Sequence, residues 1–231
     1  MKKKELLQLR VSSLYKKMET IEKEWNDEVS TFSAQVGDQF PEGPNSGILV
    51  YGRCNNGWDR DDEGQFSSEQ MDLEAKKRPF WGLMKDVCQH YYPTEWYRKV
   101  TWSNTAKVSP IKGGKLSNKL WYAQEEYLMP IMKAELECLS PKVVILVVGN
   151  NVANDNWDKP LHQLYPDLKE KCKLTDIVWG ISPYGKDLIS SAYKKNNILF
   201  IITERPDMRG LSAECKQAQI DGIIKLIGQY S

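Results

Sequence analysis

Three short stretches of this chain carry side chains suited to chemistry on a planar or anionic ligand. Val100–Pro110, VTWSNTAKVSP, reads as a β-strand that runs out at Asn104. An amide offers both a donor and an acceptor, so at a strand end it can match the edge of a planar heterocycle. The other reading is a turn asparagine that satisfies the backbone. Gly52–Trp58, GRCNNGW, follows an apolar run and sets two further amides, Asn55 and Asn56, beside Cys54. Thr203–Arg209, TERPDMR, follows another such run and holds two arginines. The Gly113-Gly114-Lys115 turn lacks the spacing of a phosphate-cradling loop, which argues against nucleotide hydrolysis. Its basic flank, Lys107, Lys112, Lys115 and Lys119, is the best local patch for phosphate contact, a solvated loop being the plainer explanation. The two histidines, His90 and His162, lack neighbours that would complete a triad or a metal site.

The elements that must position these residues follow from periodicity. Gly47–Gly52 (GILVYG), Val100–Asn104, Lys142–Gly149 and Asn197–Thr203 (NILFIIT) read as strands, and Ile177–Ile181 as an extra one. The continuous apolar character of Gly47–Gly52 and Lys142–Gly149 marks these as buried, central strands. Phe80–Tyr91, Leu116–Leu139 and Ser212–Tyr230 read as helices, the last capped by Ser212; Pro130 should kink or divide the second. Strands alternating with helices predict an α/β fold, a three-layer α/β/α sandwich around a mostly parallel sheet of four to five strands. In such sheets ligands sit beyond the carboxyl ends of the strands, where all three stretches lie.

Residues 1–33 stand apart as an N-terminal amphipathic helical extension, with the α/β domain at 47–231. Leu7, Val11, Leu14, Met18, Ile21, Trp25, Val29 and Phe32 form one stripe of a long helix. Such a stripe lies against the domain or serves as a coiled-coil dimer arm, the monomer being the simpler expectation. Between the first strand and the first domain helix, residues 53–79 form a long polar loop of the kind that carries function.

Composition narrows the classes. With 41% hydrophobic and 27% charged residues, the chain suits a soluble globular domain and not a disordered one. The net charge of +1 means that a nucleic-acid partner would need a local basic patch. Five dispersed cysteines without a C-x-x-C pair point to reduced intracellular thiols and away from a local zinc or iron–sulfur cluster. MKKKELLQLR has no apolar signal-like core, and Val143–Val148 is too short to span a membrane. These features predict a cytoplasmic protein with no membrane contact and no metal.

The order of segments GILVYGRCNNGW, PFWGLMKDV, VTWSNTAKVSP, LSPKVVILVVG and IITERPDMRG resembles the uracil-DNA glycosylase superfamily, nearest its mismatch-specific and single-strand-selective branches. The resemblance spans roughly residues 47 to 228. It implies a DNA partner and, without a cofactor, hydrolysis of an N-glycosidic bond to a damaged or mismatched base, a DNA-repair reaction. It equally allows a catalytically inactive nucleic-acid or nucleotide binding module on the same fold. Asn104 matches the family's base-reading asparagine. Cys54 or Asn55 falls where the family holds its attacking water, the alternative for both being loop structure. Trp58 and Phe66 are candidates for the aromatic wall against the base, or for core. Arg205-Pro206 stands where the family has His-Pro. Arg205 would then steady the departing base, grip a phosphate with Arg209 and Lys186, or pair with Glu204 or Asp207 on the surface.

Overall fold

The computed structural model describes residues 2–25, 28–54, 72, 75, 77–111, 116–149, 157–207 and 210–231. In chain order these form α1 (Lys3–Glu24), β1 (Val29–Thr31), β2 (Gln35–Val36), β3 (Ile48–Gly52), α2 (Pro79–Tyr91), β4 (Val100–Asn104) and β5 (Val108–Pro110). There follow α3 (Asn118–Leu139), β6 (Val143–Val147), α4 (Lys159–Leu164), α5 (Leu168–Lys171), β7 (Lys173–Ile181), β8 (Asp187–Lys195), β9 (Ile198–Thr203) and α6 (Ala213–Tyr230). The fold is of mixed α/β class.

The main sheet has seven strands in the order β2-β4-β3-β6-β9-β8-β7. Its centre, β4-β3-β6-β9, is parallel, and these are the four principal strands legible in the sequence. The outer pairings, β2 with β4, β9 with β8 and β8 with β7, are antiparallel. The sheet is therefore larger and more mixed than the four to five mostly parallel strands expected. The difference comes from β2 and β8, which were not expected, and from the antiparallel pairing of β7, whose Ile177–Ile181 part was expected as a strand. β8 escaped notice because polar residues occupy its buried positions: Ser190 bonds Thr203 Oγ1 at 2.7 Å and Ser191 bonds Asp176 at 2.7 Å.

Alternate residues of the parallel strands enter two separate cores. Ile48, Val50, Val100, Trp102, Ile145, Val147 and Ile201 pack with α2 and α6. Leu49, Tyr51, Val144, Leu146, Phe200 and Ile202 pack with α1, α3, α4 and α5. This is the period-two consequence of strands with both faces covered. Register brings Gly52 opposite Asn104, and Val147 opposite Thr203, so the parallel strands end in one row.

α1 ends at Glu24, earlier than the stripe suggested. Val29 continues the apolar spacing but lies in β1, which pairs antiparallel with β5. Leu7 and Val11 share a core with Met132, Leu136 and Leu139 of α3, and Met18 and Ile21 with Leu120 and Ile131. The apolar stripe thus lies against its own domain. α3 passes through Pro130 as one helix, and Ser117 caps it by accepting from Leu120 N at 3.1 Å. Among the described residues no helix is long and apolar enough to cross a membrane.

Candidate functional site

The ends of β3 and β4 stay tied to one another past the last strand residues. Thr105 N donates to Gly52 O at 2.9 Å, Ala106 N to Arg53 O at 2.9 Å and Thr105 Oγ1 to Arg53 O at 3.0 Å. Asn104 is 1% exposed, and its carboxamide lies across Gly52. A Cβ added at Gly52 would sit 2.6 Å from Asn104 Oδ1 and 3.4 Å from the Phe80 ring. Gly52 is therefore the residue that lets an amide and an aromatic ring meet at one strand end. Phe80, at the start of α2, is the described aromatic at that point. Its signal was present in PFWGLMKDV, but nothing local says which face of a helix meets a strand end.

A second convergence occurs at Gly149, just beyond β6, where φ is +92°. Arg53 reaches across from the end of β3, with Nε donating to Val148 O at 2.6 Å and its guanidinium 5.5 Å from the Trp157 ring centre. Glu204, only 6% exposed, arrives from the end of β9. A Cβ at Gly149 would lie 2.6 Å from Arg53 Nη2 and 3.1 Å from Glu204 Oε2. The absence of a side chain at residue 149 thus makes room for a guanidinium and a carboxylate together. From α6, Gln219 Nε2 donates to Glu204 O at 2.7 Å and to Thr203 Oγ1 at 3.0 Å, fixing the same turn. Sequence reasoning missed this constellation because its members lie on three strand ends far apart in the chain.

Cys54, next after Arg53, packs against the core cluster that holds Met18, Ile21, Leu120 and Ile131. Burial pushes its thiol up to about 11, against the smaller opposing pull of the Arg205 and Arg53 charges. At neutral pH it is a thiol, which cannot take a proton from water. Arg205 is 40% exposed and engages Asp207 within its own turn, Nε to Oδ1 at 2.7 Å and Nη2 to Oδ2. Of the three roles open to Arg205, the pairing with Asp207 is the one present in the structure.

Lys107 is a correction. The sequence set it in a solvated basic flank for phosphate contact, yet its side chain is 1% exposed. Lys107 Nζ donates to Glu135 Oε1 at 2.8 Å and Ser103 Oγ at 2.6 Å, and lies 5.6 Å from the Tyr51 ring centre. The cause is the path of the chain: after Asn104 it enters β5, which pairs with β1 and turns the lysine beneath α3. Gln124 of α3 completes the turn by accepting from Lys107 N at 2.7 Å and Val108 N at 2.9 Å. A lysine in this position cannot touch DNA.

Asn55, Trp58, Phe66, Lys112, Lys115 and Arg209 lie outside the described residues. Among the described residues no group of three or more His, Cys, Asp or Glu side chains could hold a metal ion. No protein-family model matches the sequence, and no curated protein matches it.

Proposed function

We propose that this chain is a uracil-DNA-glycosylase-like protein that recognises a base in DNA at its strand-end crevice, acting as a binding module and not as a hydrolase. The observation that carries the reading is the Asn104 carboxamide, set beside the Phe80 ring at Gly52. An amide supplies the paired donor and acceptor that a pyrimidine edge presents, and a ring supplies a stacking face. On this reading the architecture is the family's three-layer sandwich, with helices on each side of the parallel strands. Because Asn104 is 1% exposed, a base reaching it takes the place of neighbours that now cover it.

Binding is preferred over hydrolysis because of the state of the two described groups assigned to the reaction. Cys54 remains a protonated thiol, and the Arg205 charge is shared with Asp207. The test is fluorescence anisotropy with labelled single-stranded and duplex DNA carrying uracil or a mismatch, each sample also treated with alkali. Salt-dependent, saturable binding without alkali-labile sites is expected, and Asn104→Ala should reduce the preference for the uracil-bearing strand by about tenfold. Alkali-labile sites would restore the hydrolytic reading, and loss of all binding at low salt would remove the DNA partner.

A further inference from the structure

On the side of the sheet covered by α1 lies a cavity of about 150 Å³. Its apolar walls are Leu7 and Val11 of α1 with Ala34 and Val36; Tyr15 and the buried Glu135 also line it, together with the solvent-exposed residues Lys4, Gln8, Ser12 and Ser33. We propose that this cavity is a binding site for a small neutral aromatic molecule bearing one hydroxyl, a ligand of the phenol class.

Size and wall chemistry select the ring. A cavity of about 150 Å³ with apolar walls holds a six-membered ring, whose burial is favourable in proportion to the apolar area removed from water. The polar groups select the hydroxyl. The Tyr15 hydroxyl is buried and donates to no acceptor among the described residues; the Ala34 backbone amide lies close enough to act on its oxygen, which leaves the hydroxyl proton to be placed. Burial, with the Glu135 charge beside it, holds the Tyr15 phenol well above its ordinary range, so the group is a donor at neutral pH.

Glu135 Oε1 receives Lys107 Nζ and Ser103 Oγ, while Oε2 receives only Tyr51 OH, at 2.7 Å, among the hydrogen bonds of this cluster. A carboxylate oxygen has two lone pairs, so Oε2 can take one more donor. A ligand hydroxyl would accept from Tyr15 and donate to Glu135, a pair of roles that neither an ether nor an ammonium fills. Neutrality follows because Lys107 already balances the Glu135 charge, so a cationic ligand would bring an unmatched charge into the interior.

The experiment follows 4-fluorophenol by fluorine NMR in the presence of the full chain, with unlabelled phenol and toluene as competitors. Saturable binding is expected, with phenol about tenfold tighter than toluene, the value of a buried hydrogen-bonded hydroxyl. Tyr15→Phe should bring the two competitors to within about threefold while leaving toluene binding unchanged. Ala34→Leu, which fills the cavity, should abolish both, with circular dichroism showing that the variant is folded. If Ala34→Leu does not fold, Val11→Phe makes the same test from the α1 side. Equal affinity of phenol and toluene, or the absence of saturable binding, would overturn the proposal. DNA binding by the same preparation is independent of this outcome.

Discussion

The turn after β4 and the turn after β9 each place a cation just past a strand end, and the two cations end in opposite environments. Lys107 is drawn inward because β5 returns along β1 beneath α3, where Glu135 waits. Arg205 stays outside because its turn is pinned by Gln219 from behind, and its nearest acid is Asp207 in the same turn. What separates them is the destination of the following chain, since both follow an apolar strand and both sit in polar sequence. A buried pair depends strongly on both partners, whereas an exposed pair is screened by solvent and contributes little.

Removing Lys107's partner should show the largest effect. Glu135→Ala leaves an ammonium buried without its carboxylate and should lower the unfolding free energy by about 3–5 kcal/mol in urea denaturation. Replacing both members, Lys107→Met with Glu135→Leu, should recover most of that loss. A loss below about 1 kcal/mol for the single variant would erase the contrast. Cys54 gives an intermediate effect. With its thiol near 11, its alkylation by iodoacetamide at neutral pH should run about a hundredfold slower than that of an ordinary exposed cysteine. Because the thiolate is the reacting form, the rate should climb with pH toward 11, read peptide by peptide in mass spectra. Arg205→Ala should slow it a few-fold further, because the arginine charge favours the thiolate. The smallest effect is on stability at the exposed pair: Arg205→Ala should change the unfolding free energy by about 0.2–1 kcal/mol.

Much of the framework was legible because its signals are local. β3, β6 and β9 are nearly uninterrupted apolar runs, β4 is a short β-branched and aromatic segment, and α2, α3 and α6 carry helical periodicity, two of them with serine caps. β8 was not legible, because Ser190 and Ser191 bond Thr203 and Asp176 on neighbouring strands, partners that no local pattern shows. At the candidate site, Asn104 announced itself by standing where a strand ends. The meeting of Arg53 and Glu204 at Gly149 did not, since it depends on strand order and register. Lys107 was misread for the same reason: its partner Glu135 lies on a helix whose approach no local pattern encodes.

The packing of α1 against α3 also sets an order of events during synthesis. α1 is made before α3 and carries Leu7, Val11, Met18 and Ile21 uncovered until α3 follows, and β1 must likewise wait for β5. Such contacts between distant segments slow folding and lengthen the time during which apolar surface is open to aggregation. A chain shortened to begin at the sheet would escape the wait. It would instead leave the α3 surface bare for good, so the amino-terminal helix is a built-in cover for the nascent domain and not a removable appendage.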